Sequence, residues 1–217
     1  MRPDTALDNE LNLAGDAQRA KRIAVVIGST RPKRICPGIA EWFTNVAQQQ
    51  SPLRYELIDL AEIDLPFLDE PLKASLREYE HEHTRAWSRL ISGYDGFVFV
   101  SPQYNWGYPA PLKNALDFLY YEWHDKPAAC VTYGTRGGNR GAAQLLGVIE
   151  GLHMRPLPDR LEIVITDGDV DEQWQLRDPA TTLDPYGEQA RRLDTQLVEA
   201  LVDAQQSGLP TAGSGSA

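Results

Sequence analysis

The sequence predicts an α/β protein with a doubly wound sheet of about five parallel strands and helices on both faces. Three observations support this prediction. Short runs of apolar, often β-branched residues recur along the chain, and such runs are typical of strands that are buried on both faces. Segments with apolar residues at helical spacing follow most of these runs. Because loops rich in glycine and proline separate the two kinds of segment, the chain alternates strand and helix, which indicates a parallel sheet covered by helices.

Five segments are predicted as strands. Residues 23–27 form a continuous β-branched run, and residues 97–100 form a second run of the same buried kind. Residues 53–60 alternate between apolar and polar side chains, which indicates a strand nearer an edge of the sheet. The remaining two predicted strands are residues 127–133 and 161–165.

Five segments have the apolar periodicity of helices. The predicted helices follow Pro37, cover residues 80–91, begin at Pro111, follow Gly141, and cover residues 186–204. Proline is suited to a first helical position, which supports the start of the third helix at Pro111.

The chain has 217 residues, which is enough for one domain with a substantial core. It contains no internal repeat and no linker that would divide it. We expect residues 21–206 to form this domain. Residues 1–20 are polar and are predicted to be a flexible arm, and the low-complexity residues 207–217 are predicted to be a flexible tail.

Composition and charge exclude several classes of protein. The formal net charge of −10 argues against a surface that binds duplex nucleic acid, because such a surface needs clustered positive charge. No apolar run reaches membrane-spanning length, and the first residues lack the apolar region of a secretory signal. The two cysteines, Cys36 and Cys130, have no zinc-type spacing. We therefore expect a reduced, cytoplasmic protein, with Cys130 buried in a strand and Cys36 in a loop where it can be reactive.

Three loops follow predicted strands and precede predicted helices: residues 28–38, 102–109 and 134–141. Such loops crowd together at the carboxyl edge of a doubly wound sheet, where ligands bind. The third loop is rich in glycine, so its backbone can approach a ligand closely, although a flexible turn is an equally good interpretation of this loop alone.

The first loop is suited to binding a phosphate group. Ser29 offers a hydroxyl donor, Arg31 and Arg34 offer charged donors, and the following helix presents free N–H groups. The loop has neither the GxGxxG nor the GxxxxGK[ST] pattern, which disfavours dinucleotide and nucleoside-triphosphate sites of the common kinds. A solvated basic turn is the alternative.

The second loop carries stacking surface and amide groups. Tyr104, Trp106 and Tyr108 can cover a planar ring, while Gln103 and Asn105 can pair with its polar rim. Bulky rings are unusual in a surface loop, so the alternative is that they pack on a partner subunit.

These motifs, in this order, resemble the NADPH-dependent FMN reductases, a family of flavodoxin-like proteins that includes quinone and azo-dye reductases. The resemblance covers roughly residues 21–161. It rests on Gly28-Ser29-Thr30-Arg31-Pro32 with Arg34, on Pro102-Gln103-Tyr104-Asn105-Trp106-Gly107-Tyr108-Pro109 followed by Leu112-Lys113-Asn114-Ala115-Leu116-Asp117, and on Gly137-Gly138.

The resemblance implies a flavodoxin-like fold and a role for each loop in binding FMN. The phosphate would be held by Ser29, Arg31, Arg34 and the backbone near Ile35 and Cys36. The flavin ring would be lined by Pro102, Gln103, Tyr104 and Asn105, with Trp106 beside it. The pyrimidine edge of the ring would meet Tyr133, Gly134, Thr135, Arg136, Gly137 and Gly138. Many members carry Glu in place of Gln103, and Ser and Asn in place of Arg34 and Cys36.

The resemblance also implies an activity. We expect an FMN-dependent oxidoreductase that passes electrons from NADPH or NADH to a flavin, quinone or azo compound, in a homodimer or homotetramer. The chemistry would occur on FMN, with no metal and with no side chain acting as nucleophile or general acid. The alternative is a flavodoxin-like electron carrier or redox-sensing protein that holds FMN but turns over little NAD(P)H.

Three other patterns receive simpler interpretations. His81 and His83 are predicted to be solvated rather than metal ligands, because residues two apart do not share a helix face. Residues 167–171 resemble the start of a calcium loop, but Glu172 stands where the turn glycine is required, so they are predicted to be an exposed acidic loop. The aromatic residues 120–123 are predicted to contact a second subunit, with packing under the next loop as the alternative.

Overall fold

A six-stranded parallel sheet forms the centre of the protein. The computed structural model describes residues 19–207, so residues 1–18 and 208–217, which hold most of the predicted arm and tail, lie outside the described residues. The strands are β1 (Arg22–Ile27), β2 (Arg54–Asp59), β3 (Gly96–Pro102), β4 (Pro127–Gly134), β5 (Arg155–Pro156) and β6 (Leu161–Val164). The five predicted strands correspond to all of these except β5.

The helices lie at the predicted positions, with shifted ends. They are α1 (Cys36–Gln48), α2 (Leu60–Ile63), α3 (Glu82–Ser92), α4 (Ala110–Asp117), α5 (Asn139–Gly151), α6 (Pro179–Leu183) and α7 (Gly187–Ser207). The short helices α2 and α6 were not predicted. Within residues 19–207, no helix combines the length and the apolar character needed to cross a membrane.

The strand order is β2-β1-β3-β4-β5, and β6 pairs with β4 beyond the end of β5. Two residues of β5 pair with the start of β4, and β6 pairs with its last four residues. These two short strands therefore share the fifth position, which explains why the prediction of about five strands agrees with a sheet of six. The order reverses direction between β1 and β3, and this is the point at which doubly wound sheets bind ligands.

Helices cover both faces of the sheet, as predicted, and each face has its own buried apolar cluster. Helices α1 and α7 cover one face, where the cluster includes Ile39, Phe43, Val98, Leu193 and Leu197. Helices α3, α4 and α5 cover the other face, where the cluster includes Trp87, Phe97, Phe99, Leu116 and Leu145. The periodic apolar residues of the sequence are the residues that these clusters bury.

The aromatic segment after α4 belongs largely to the second cluster. Trp123 is buried, and its ring lies 4.9 Å from that of Phe97 between centroids. Glu122 is also buried and accepts hydrogen bonds from the hydroxyls of Tyr79 (3.0 Å) and Ser88 (2.6 Å). The predicted subunit contact is therefore wrong for these two residues, and the packing alternative is correct. Tyr121 is exposed.

Candidate functional site

A cavity of about 250 Å³ lies at the carboxyl edge of the sheet, where the loops after β1, β3, β4 and β6 meet. Parallel strands all end at this edge, so the fold brings together loops that are far apart in sequence. The predicted site residues that line the cavity are Arg31, Arg34, Ile35, Pro102, Gln103, Tyr104, Tyr133, Gly134 and Thr135. The other lining residues are Lys33, Ile165, Thr166, Asp167, Val170 and Trp174.

The first loop leaves β1 through a glycine that no larger residue could replace without a shift. The N–H of Gly28 donates to the carbonyl of Val100 at 2.8 Å, and a Cβ at Gly28 would lie 3.0 Å from that oxygen. Ser29 follows and is fully buried, with its hydroxyl oxygen 2.9 Å from that of Tyr104. This hydrogen bond links the first loop to the second.

Arg34 is held between the first loop and the end of β2. One terminal nitrogen donates to the Ser29 carbonyl, and the other donates to a carboxylate oxygen of Asp59 at 2.6 Å. Because both partners are protein groups, Arg34 fixes the shape of the loop as well as lining the cavity.

Arg31 is exposed at the mouth of the cavity between two aromatic rings. Its guanidinium carbon lies 5.7 Å from the ring centroids of both Tyr104 and Trp174. Within residues 19–207 the Arg31 side chain has no carboxylate partner, so its in-plane N–H donors remain available to an anion.

Helix α1 begins at the cavity without a side-chain cap. The side chain of the N-cap residue, Ile35, accepts no hydrogen bond from the helix, and the first turn of α1 contains no acidic residue. The free N–H groups at such a helix start attract anions. Cys36 is the first residue of α1 rather than a loop residue, and it is buried. Burial raises the pKa of its thiol to about 11, which disfavours the reactive thiolate form.

The second loop forms a tight two-residue turn at Asn105 and Trp106. Tyr104 and Gly107 exchange both backbone hydrogen bonds, at 2.8 and 2.9 Å, and the two central residues have φ angles of 47° and 72°. Asparagine tolerates this left-handed conformation, but a bulky residue such as tryptophan rarely adopts it. Trp106 is 63% exposed, and the guanidinium carbon of Arg140 lies 3.3 Å from its ring centroid.

Gln103 connects the second loop to the third. Its side-chain oxygen accepts hydrogen bonds from the backbone N–H groups of Arg140 (3.0 Å) and Gly141 (3.1 Å), in the first turn of α5. Gln103 thus caps a helix that has no side-chain cap of its own.

The third loop is a glycine turn that packs against the sheet. Gly137 and Gly138 have φ angles of +71° and +78°, and a Cβ on Gly137 would lie 2.9 Å from the Cβ of Glu162. The hydroxyl of Thr132 donates to the Gly137 carbonyl at 2.8 Å. The two glycines are buried and therefore shape the turn, while the residues before them reach the cavity.

The predicted site residues that do not line the cavity surround it. Ser29 and Cys36 are buried beside it, Asn105 and Trp106 form the exposed turn of the second loop, and Arg136 is exposed next to the two buried glycines.

Sequence reasoning missed the fourth wall, which follows β6. Trp174, Asp167 and Thr166 line the cavity from this segment, and Trp174 has a positive φ of 58°. The segment was predicted as an exposed acidic loop. Its place after a parallel strand could have identified it, because this rule applies to β6 as it does to β1, β3 and β4.

The two histidines near the start of α3 lie away from this edge. The rings of His81 and His83 stack with centroids 5.2 Å apart, and both are partly exposed beside Asp69. Within the described part of the chain, no cluster of three or more His, Cys, Asp or Glu residues has the geometry of a metal site.

Comparison with known proteins places the chain among flavin reductases. Residues 21–165 match the family described as NADPH-dependent FMN reductase. The NAD(P)H-dependent FMN reductase of Schizosaccharomyces pombe is 48% identical over 139 residues, which cover 63% of this chain and 70% of that protein. The NAD(P)H-dependent FMN reductase LOT6 of Saccharomyces cerevisiae is 43% identical over 144 residues, covering 61% of this chain and 75% of that protein.

A more distant relative is the NADPH:quinone oxidoreductase of Arabidopsis thaliana, which is 32% identical over 145 residues, covering 64% of this chain and 72% of that protein. Among solved structures, the flavoenzyme FerB, an NAD(P)H:(acceptor) oxidoreductase from Paracoccus denitrificans, has a TM-score of 0.64 at 20% identity. That match covers 85% of this chain and 98% of the FerB chain, and it supports the fold.

Proposed function

The chain belongs to the NADPH-dependent FMN reductase family, and we propose that it passes electrons from NADPH or NADH through bound FMN to a flavin, quinone or azo acceptor. The observation that carries this proposal is the cavity itself. All three loops of the family motifs meet there, at the point where the strand order reverses.

The residues present fit a phosphorylated flavin. Arg31 and Lys33 supply positive charge at one end of the cavity, next to the uncapped start of α1, and these groups suit a phosphate. Farther along the cavity, apolar and aromatic surface is supplied by Pro102, Tyr104 and Tyr133, and such surface suits a planar ring.

We assign the phosphate to Arg31, to Arg34 and to the backbone of Ile35 and Cys36. Arg31 contributes donors that are not bound to a carboxylate. Arg34 acts mainly by holding the loop, because its terminal nitrogens already bind Asp59 and the Ser29 carbonyl. Ser29 supports the same loop through its hydrogen bond to Tyr104.

We assign the flavin ring to the second and third loops. Pro102, Gln103, Tyr104 and Asn105 would line it, with Trp106 beside it, and the turn from Tyr133 to Gly138 would meet its pyrimidine edge. This part of the assignment is supported by the rigid geometry of both turns. Gln103 holds the second loop against the start of α5, and Thr132 holds the third loop against the sheet.

Bound FMN would supply the redox chemistry, which is hydride acceptance from NADPH or NADH and transfer of two electrons to an acceptor. The protein would bind FMN and orient its ring through the residues assigned above. The relatives with similar sequences are named as NAD(P)H-dependent FMN reductases or as an NADPH:quinone oxidoreductase, which favours this function over the electron-carrier alternative.

We further propose that residues 21–206 act as the FMN-binding domain of a cytoplasmic homodimer or homotetramer. The two cysteines are free and buried, which suits a reducing compartment. Support for self-association comes from the segment between α2 and α3, where Phe67 is 86% exposed and Leu68, Leu72 and Leu76 are also exposed. Apolar groups exposed together in one segment favour burial against another subunit.

The test is an absorbance spectrum of the FMN-loaded protein before and after anaerobic addition of NADPH. We expect the flavin bands to bleach, and to return when a quinone, an azo dye or free flavin is added. Comparing the rates of recovery identifies the acceptor class. Bound flavin that stays oxidised with both NADPH and NADH would contradict the proposed function.

A further inference from the structure

Trp106 and Arg140 form an exposed aromatic–cation pair at the rim of the cavity, here called the rim pair. The guanidinium of Arg140 covers one face of the Trp106 indole, at 3.3 Å from its centroid. Trp106 is nevertheless 63% exposed, so part of its ring surface remains open to solvent. An exposed, open indole can stack on a second planar group.

The backbone at Trp106 is unfavourable for a tryptophan. Its φ of 72° belongs to the left-handed region, where glycine or asparagine would fit the same turn without strain. A strained bulky residue that packs no core is typical of a functional position, because the strain is retained where the side chain itself is needed.

The rim pair also carries unneutralised positive charge. Within residues 19–207 the Arg140 guanidinium makes no hydrogen bond and no ion pair, so its N–H donors are free. Residues 134–141 contain two arginines and no acidic residue, although the whole chain has a net charge of −10. A local positive site in an acidic protein attracts an anionic ligand.

The rim pair lies next to the cavity but away from the predicted FMN phosphate site. The backbone N–H of Arg140 donates to the side chain of Gln103, and Gln103 lines the cavity. The phosphate site instead lies on the first loop, with Arg31 and Lys33. The carboxyl edge therefore carries a second place for an anion, beside an aromatic ring.

We propose that the rim pair binds the adenosine end of NADPH, with adenine stacked on the open face of Trp106 and the 2′-phosphate bound by Arg140. The aromatic face of Trp106 beside the free guanidinium of Arg140 matches a nucleoside whose planar base can stack and whose ribose carries a phosphate. Since NADH lacks the 2′-phosphate, the rim pair selects NADPH. This inference rests on the proposed function, because the nicotinamide must reach the same cavity.

The test measures binding without turnover. Calorimetry compares adenosine 2′,5′-bisphosphate with adenosine 5′-monophosphate on the FMN-loaded protein, and we expect the bisphosphate to bind about ten-fold more tightly. Arg140→Ala should remove this difference. Arg54→Ala is the matched control, because Arg54 is an exposed arginine at the first residue of β2, on the opposite edge of the sheet, and its loss should leave the difference intact.

A second variant separates stacking from charge. Trp106→Gly removes the ring and suits the positive φ, so the turn is expected to remain folded. We expect both nucleotides to bind about ten-fold more weakly, with the ratio of their affinities unchanged.

In steady-state assays, Arg140→Ala should lower kcat/KM for NADPH about ten-fold and leave kcat/KM for NADH unchanged.

The inference is overturned if wild-type protein binds the two nucleotides equally, or if Arg140→Ala keeps the wild-type preference. These outcomes differ from failure of the proposed function. If the proposed function fails, NADPH does not bleach the flavin bound to the wild-type protein. The calorimetric preference would still decide whether the rim pair recognises a 2′-phosphate.

Discussion

The hydroxyl oxygen of Ser29 lies 2.9 Å from the phenolic oxygen of Tyr104, and this hydrogen bond joins the loops that follow β1 and β3. Ser29 is fully buried, so its hydroxyl has little access to water as an alternative partner. Tyr104 also faces the cavity and lies beside Arg31. The pair therefore couples the proposed phosphate loop to the proposed ring loop.

We expect Tyr104→Phe to lower the free energy of unfolding by about 1–3 kcal/mol, because it leaves a buried hydroxyl without its partner. The same change should weaken FMN binding, since the two loops lose their connection. Urea denaturation and FMN titration measure the two effects. Tyr94→Phe is the control, because it also removes a tyrosine hydrogen bond, to Glu56 at 3.1 Å, but near the amino edge of the sheet. An unchanged stability of Tyr104→Phe would argue that the bond contributes nothing.

Arg31 and Trp174 lead to a graded prediction for FMN affinity. Arg31→Ala should weaken binding by about 1.5–3 kcal/mol, the scale of a hydrogen bond to a charged group. Trp174→Ala should cost about 0.5–1 kcal/mol, because Arg31 loses one of its two flanking rings. Trp174→Phe keeps an aromatic ring and serves as the control. Fluorescence titration with FMN measures all three, and wild-type affinity in Arg31→Ala would remove the phosphate assignment.

Gln103 gives a prediction about the start of α5. Gln103→Met keeps the length of the side chain but removes the oxygen that binds two N–H groups, so we expect a loss of about 0.5–2 kcal/mol in the free energy of unfolding. Gln103→Glu retains the acceptor and adds negative charge at a helix N-terminus, which is favourable, so this variant should stay close to wild type. Chemical denaturation compares the variants. Equal stability of Gln103→Met and wild type would show that the cap is dispensable.

The lowered pKa of Lys126 leads to a prediction of how the stability of the protein depends on pH. Its ammonium group donates to the Ile91 carbonyl at 3.0 Å and lies over the Phe97 ring, and burial lowers its pKa from 10.5 to about 8. Above pH 8 the folded protein loses this proton while the unfolded chain keeps it, so this group makes stability rise with pH up to about 10.5. Burial of Cys36, which raises the pKa of its thiol from 9.0 to about 11, has the opposite effect above pH 9.

The contribution of Lys126 is therefore best isolated between pH 8 and 9. Lys126→Met should lack the rise that wild type shows there, as measured by urea denaturation at closely spaced pH values. If wild type and Lys126→Met have parallel pH profiles in this interval, Lys126 keeps an ordinary pKa in the folded protein.

The sequence predicted the strands well because their signals are local. The run at residues 23–27 and the run at 127–133 each agree with the observed strand to within one residue. The two residues of β5 were missed because pairing over two residues leaves no periodic pattern. The rule that loops after parallel strands meet at one edge correctly located the cavity.

What the sequence did not reveal depends on contacts between distant segments. Trp174 reaches the cavity because its loop turns back beside Arg31; its place after β6 points to this edge of the sheet, but the local pattern of residues 167–177 does not indicate the contact with Arg31. Trp123 is apolar in either interpretation, and its burial is decided by the packing of Trp87, Phe97 and Phe99 against it. The depth of Ser29 and Cys36 is likewise set by neighbouring strands and helices rather than by their own loop.

Helix α7 lies beyond residue 165, where the match to the family ends, yet it covers one face of the sheet. Asp194 accepts hydrogen bonds from the hydroxyls of Ser51 (2.5 Å) and Tyr55 (2.6 Å), and Leu193, Leu197 and Leu201 are buried. A shortened protein that ends with the family region would uncover this apolar face. Anyone who transplants or fuses the flavin-binding part of this chain should therefore keep it through residue 201, or expect an aggregating product.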